Sequence, residues 1–280
     1  MRKIKFAKFS GAGNDFVVID NRRKIVPSAA VRLAVKLCQP KTGIGADGLI
    51  LLERSAQADF RMRIFNPDGS EAEMCGNGAR CIARFASLKK IAPAKMIFET
   101  MAGLISAQVK DRDVKLHMSD PHSLKDNLSV KLGGQSRKVL FINTGVPHAI
   151  MFVNNIDKVP VFEWGRIIRY HRLFKPAGTN VNFVSKMDQH TIAIRTYERG
   201  VENETLACGT GSVAAAIVSA YARNLSSPVQ VHTRGGDILT VYFKFQSTFN
   251  AGMKGAGKTF YDVYMEGRVK FVFEGELKES

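Results

Sequence analysis

Period-two alternation of apolar and polar residues dominates this chain. KIKFAKF (Lys3 to Phe9) alternates cleanly, FVVID (Phe16 to Asp20) follows as a β-branched run, and KVLFI and AIMFV repeat the pairing further on. These are strand signals. Helical spacing appears in AAVRLAVKLC and in FEWGRIIRYHRLF. Strand patterns FRMRIF and HTIAIRTYE each lead into a cysteine loop, an apolar helical segment follows each loop, and KMIFET, LISAQVK and DVKLHM, or VQVHT and ILTVYFKF, complete the series. Strands therefore outnumber helices. The segment AAAIVSAYA is apolar on nearly every face, which predicts a helix enclosed by sheet. DPHS interrupts the pattern and puts a domain boundary near Ser119 to Leu124, while DVYMEG and VKFVFEG are expected to cross back to the first domain.

The order of elements repeats. FSGAGNDFVVID matches INTGVPHAIMFV, with Gly13 and Gly145 132 residues apart. TGIGADGLILL matches PAGTNVNFV, with Gly45 and Gly178 separated by 133, and MCGNGARCIARFAS matches ACGTGSVAAAIVSA, with Cys75 and Cys208 again 133 apart. Three matches in one order at nearly one offset predict two homologous halves.

The duplicated cysteines carry the chemistry. In GSEAEMCGNGARCIARFA and VENETLACGTGSVAAAIV an acidic turn leads to Cys-Gly-x-Gly and then to a helix. Bare amides at a helix N-terminus carry partial positive charge, bind carboxylate or phosphate, and favour thiolate over thiol. A metal ligand, half of a redox pair and a buried packing residue are the competing readings. Metal binding needs ligands at close spacing, yet CxxC is absent and the six histidines are dispersed. Cys38 sits in an apolar helix and Cys81 lies six positions after Cys75, a turn of about 240°. Both read as packing residues. Asn14, Asn66, His148, Asn180, Glu198 and Arg199 each suit turn or capping roles, but they fall in the duplicated motifs or beside the cysteine loops.

Two glycine-rich decoys carry less weight. GMKGAGKT (Gly252 to Thr259) fits the GxxxxGK[ST] phosphate-loop pattern, but strand-like alternation follows where a helix is required, so a loop between strands is expected. GAGNDF lacks the third glycine of a dinucleotide fingerprint and is followed by a strand.

Composition adds bounds. The 280 residues, 45% of them hydrophobic, suffice for two domains of ordinary size. Four cysteines are too few for a disulfide framework, and no apolar run has the length of a signal peptide or membrane span. A cytoplasmic protein is expected. With 41 basic against 25 acidic residues the net charge is +16, which raises nucleic acid as a partner. The basic residues are spread in singles and pairs, however, so a solvated basic surface is expected, with neither nucleic acid nor membrane as partner.

GAGNDFVVID, GIGADG, FNPDGSEAEMCGNGARC, NTGVPH, GTNVNF and YERGVENETLACGTG together resemble the diaminopimelate epimerase family over essentially the full length. The resemblance implies an α/β (α+β) fold of two pseudo-symmetric domains, each a mostly antiparallel curved sheet or barrel around a central helix. The expected halves are 1–119, joined by 269–280, and 120–268. It implies pyridoxal-independent interconversion of LL- and meso-diaminopimelate, for lysine and peptidoglycan precursors, with no cofactor and no metal. Cys75 and Cys208 match the family's two acid/base thiols. Gly76, Asn77, Gly209 and Thr210 match helix-end groups that hold the α-carboxylate, and Asn14, Asn66, Asn180, Glu198 and Arg199 match positions that grip the substrate, Arg199 at its distal carboxylate. His148 matches an auxiliary histidine. Val146 stands where many members have asparagine, and Gly48 where some have glutamine. The family also implies a homodimer.

Overall fold

The computed structural model of the chain describes residues 2–26, 30–248 and 257–279. These divide into two compact units, one built from 1–117 with 266–280 and the other from 118–265. In the first unit, β1 (Arg2–Gly11) turns into β2 (Asn14–Asp20), followed by α1 (Ala30–Cys38), β3 (Gly48–Glu53), β4 (Phe60–Phe65), β5 (Glu71–Ala72), α2 (Gly76–Leu88), β6 (Lys95–Thr100), β7 (Gly103–Lys110) and β8 (Asp113–His117). The second runs through β9 (His122–Leu132), β10 (Gln135–Asn143), β11 (Pro147–Phe152), α3 (Val161–Arg169), β12 (Asn180–Lys186), β13 (Thr191–Glu198), β14 (Asn203–Thr205), α4 (Gly209–Arg223), β15 (Val229–His232) and β16 (Ile238–Thr248). Then come β17 (Gly257–Arg268) and β18 (Lys270–Glu279), the latter antiparallel to β1.

The repeat is visible in the strand register. Val18 pairs with Ile50 across parallel β2 and β3, and Ile150 pairs with Asn182 across parallel β11 and β12. Antiparallel β3 and β4 set Ile50 opposite Ile64, while β12 and β13 set Asn182 opposite Thr196, each residue 132 later. One central helix serves each unit. α2 packs against β1, β2, β7 and β8, and α4 against β10 to β13, β15 and β16. Eleven of the fifteen residues of α4 are buried, consistent with a helix that has sheet on nearly all sides.

The hairpin joining β1 to β2 is a two-residue turn in which Ala12 (φ 52°) and Gly13 (φ 85°) both take left-handed conformations. Such a turn matches the right-handed twist of its strands and pins Asn14 opposite Gly11.

Some expectations change at element ends. FEWGRIIRYHRLF is not one helix: α3 ends with Tyr170 as its C-cap, and a separate 3₁₀ turn covers Arg172–Phe174. Within the DPHS stretch the strand pattern resumes at once, because β9 begins at His122. The glycine-rich loop 249–260 and the phosphate-loop lookalike at 252–259 lie mostly outside the described residues; Gly257 to Thr259 open β17. Among the described residues no helix is long and apolar enough to cross a membrane.

Candidate active site

In each unit a short strand leads, after two intervening residues, to a cysteine at the N-cap of the central helix. Cys75 is the N-cap of α2 in extended conformation (φ −140°, ψ 121°), and its Sγ accepts from the amide of Gly78 at 3.5 Å. Cys208 takes the same place on α4 (φ −126°, ψ 114°), with Thr210 Oγ1 3.6 Å from its sulfur. Gly76 and Asn77, or Gly209 and Thr210, form the first helical positions, whose amides lack intrahelical acceptors. Negative charge placed there meets the positive end of the helix.

The approach to each cysteine is held by an ion pair that sequence reading missed. Arg63 grips Glu71 through two hydrogen bonds of 2.7 and 2.8 Å, and Arg195 grips Glu204 through two of 2.6 and 2.7 Å. Both pairs tie β4 or β13 to the short strand that leads to the cysteine. Bidentate geometry fixes orientation as well as distance. Continuing the sequence repeat past the glycines would have found them.

In the first unit the side chains behind Cys75 form a connected set. Asn77 Nδ2 donates to Asn14 Oδ1 at 2.6 Å, and Asn14 Nδ2 donates to Asp47 Oδ2 at 3.0 Å. Arg80, wholly buried, donates to Asn77 Oδ1 at 2.7 Å and to the Gly76 carbonyl at 3.4 Å. Lys8 is also buried and pairs with Asp15 at 2.7 Å and with the Gly45 carbonyl. Asn66 stands apart in an exposed turn, bonded to Ser70. Gly48 lies close enough to its neighbours that a Cβ there would sit 2.9 Å from the Phe65 carbonyl and 3.3 Å from the Phe16 ring, which accounts for glycine at this position.

In the second unit Asn180 is committed to backbone: its Oδ1 accepts from the Arg199 amide at 2.8 Å and its Nδ2 donates to the Pro147 carbonyl. The Arg199 guanidinium donates to the Ala177 carbonyl at 3.3 Å and forms no ion pair among the described residues, so most of its donors remain for an anion. Glu198 accepts from Thr205 Oγ1 at 2.9 Å, and burial pushes its carboxyl above the usual range. The hydroxyl of buried Thr144 donates to the Thr210 carbonyl at 3.1 Å, tying β10's end to the first turn of α4.

His148 is wholly buried beside Asn182, and burial followed by the Arg199 charge lowers its pKa to about 3. The unfolded imidazole, with its usual value of 6.5, therefore binds more protons between pH 6.5 and about 3. Stability is held above that window and falls as pH drops through it. His148→Gln removes this titration, so melting temperature plotted against pH should be flatter for that variant; equal slopes would contradict the burial argument.

Cys38 and Cys81 are packing thiols. Burial raises Cys38 to about 11 and Cys81 to about 12. Neither is fit to ionise near neutrality.

A family model described as diaminopimelate epimerase matches residues 6–124 and 140–257. The diaminopimelate epimerase of Aquifex aeolicus is 45% identical over 290 residues, covering 99% of both chains. That of Methanocella arvoryzae is 40% identical over 292 residues, covering 99% of this chain and 98% of its own. Among solved structures, a phenazine biosynthesis protein of the PhzF family from Bacillus anthracis superposes with TM-score 0.73 at 18% identity over 100% of both chains. A hydroxyproline epimerase from Agrobacterium vitis does so with TM-score 0.69 at 16% identity, covering 99% of this chain and 92% of its own. Those two likenesses establish the fold.

Proposed function

The chain belongs to the diaminopimelate epimerase family, and on that premise we propose that Cys75 and Cys208 are the acid/base pair with which it interconverts LL- and meso-diaminopimelate. The observation that carries the proposal is the duplicated cap: each thiol sits at the N-terminus of a central helix beside amides that lack intrahelical acceptors.

Inverting a carbon without an imine cofactor needs a base on one face and an acid on the other. The thiolate form of one cysteine takes the α-proton, and the C–H electron pair stays on carbon, delocalised into the carboxylate. The thiol form of the other delivers its proton to the opposite face and becomes the thiolate. Proton exchange then restores the starting pair, and the roles reverse with direction. The first-turn groups at Gly76, Asn77, Gly209 and Thr210 are suited to hold the carboxylate as its charge grows, donors whose removal typically costs about 2.7–4 kcal/mol each. Arg199, with spare donors, suits the distal carboxylate. Asn14, Asn66, Asn180 and Glu198 complete the grip and His148 assists. We further propose a cytoplasmic homodimer working without metal or organic cofactor, on the family resemblance alone.

In deuterated water, LL-diaminopimelate should epimerise with deuterium entering at the α-carbon, and proline-type acids should not exchange. Exchange of proline-type acids without exchange of diaminopimelate would overturn the substrate assignment.

A further inference from the structure

The two halves differ in chemistry beneath the second glycine of each cysteine loop. Under Gly78, a Cβ would meet the Cδ1 atoms of Ile64 and Ile50 at 3.0 and 3.2 Å. The same place under Gly211 is polar: a Cβ there would lie 2.5 Å from Asn182 Oδ1 and 3.2 Å from Cys208 Sγ. Ile50 and Ile64 in one register therefore correspond to Asn182 and Thr196 in the other, and Phe16, paired with Gly48, corresponds to His148, paired with Asn180. The fold is satisfied by an apolar trio. Three polar side chains in its place, at 0–2% exposure, cost desolvation that folding does not require.

Their hydrogen bonds run in one direction. The Ala149 carbonyl can only accept, so the group facing it at 3.4 Å is the Asn182 amide nitrogen. Thr196 Oγ1 donates to Asn182 Oδ1 at 3.0 Å, which agrees with that orientation. The same amide nitrogen stands 3.1 Å from His148 Nδ1. Nδ1 is therefore an acceptor, and in the neutral ring the proton sits on Nε2. Nε2 is buried and has no hydrogen-bond partner among the described residues.

We propose that Asn182 and Thr196 are positioning residues that lock His148 in its Nε2–H tautomer, so that it presents a fixed neutral donor to an anionic oxygen of the substrate. The tautomer follows from unit two alone; only the identity of the anion rests on the epimerase reading. A neutral donor in a buried place stabilises a growing carboxylate charge without exchanging protons with it.

Nitrogen-15 correlation spectra of the substrate-free protein should show His148 protonated at Nε2 and bare at Nδ1. Asn182→Asp offers Nδ1 an acceptor and should move the proton there, with kcat down about ten- to a hundredfold and KM changed less than about threefold. Should that variant fail to fold, Thr196→Val should give a mixture of tautomers and Thr196→Ser should restore one. A wild-type ring protonated at Nδ1, or an unchanged tautomer and kcat in both Asn182→Asp and Thr196→Val, overturns the proposal. In Cys208→Ala, added meso-diaminopimelate should shift the Nε2 proton downfield. Calorimetric binding without that shift defeats the inference about the anion, whereas no binding at all defeats the epimerase reading and leaves the tautomer result standing.

Discussion

Cys75→Ala and Cys208→Ala should each lower epimerisation by at least about 10²–10⁴, the usual contribution of one positioned acid or base. The double variant should be little worse than either single one, because residues that act as a unit lose their effect together. Neither change should disturb the fold. Cys75 is half-buried and Cys208 8% exposed, and the approach to each is fixed by its own Arg–Glu pair, not by the sulfur. Turnover of LL-diaminopimelate measured beside circular dichroism checks both halves of the expectation. A single variant that keeps wild-type turnover would sink the two-base assignment. Cys38→Ala and Cys81→Ala are the controls, since both thiols are buried and held protonated.

Gly211→Ala should cost about a hundredfold in activity and about 1–3 kcal/mol in stability. The added methyl would sit 2.5 Å from Asn182 Oδ1 and 3.2 Å from the Cys208 sulfur. Alanine favours a helix over glycine by about 1 kcal/mol, which offsets part of the clash but leaves the amide and the thiol displaced. Gly78→Ala is the paired comparison. Its methyl meets the flexible ends of Ile64, Ile50 and Met62 at 3.0 to 3.3 Å, so it should fall within about tenfold of wild type. Equal activities for the two alanine variants would show that the polar floor under Gly211 has no bearing on catalysis. Steady-state rates and thermal melts together separate displacement from unfolding.

Much of the architecture was readable because it depends on spacing. The offset between Cys75 and Cys208 required no knowledge of packing, and the strands around Phe60 and Thr191 announce themselves by alternation. Residues whose meaning depends on what lies across from them were not readable. Asn182 in NVNFV resembles any polar residue of a half-exposed strand, but it is wholly buried because α4 covers that face. Arg80 in GARCIARFA reads as a solvated helix position, and instead turns inward to reach Asn77 and Gly76. Strand β9 has little signal in the sequence because most of HSLKDNLSVKL is polar, and only Val130 and Leu132 are buried. Periodicity reports which face is apolar; it says nothing about a polar group whose partner is distant in sequence.

The pairing of β1 with β18 has a consequence for how the chain is made. Residues 2–11 leave the ribosome well before residues 270–279, so they can close at once onto β2 while their other neighbour does not yet exist. The unit spanning 118–265 draws on no strand later than β17, which ends at Arg268, and can finish before β18 is made. During that interval β1 offers an open edge, the feature most prone to pairing with another chain. Lys3 and Lys5 are exposed along it and guard that edge with charge. The half that carries Cys75 is therefore begun first and completed last.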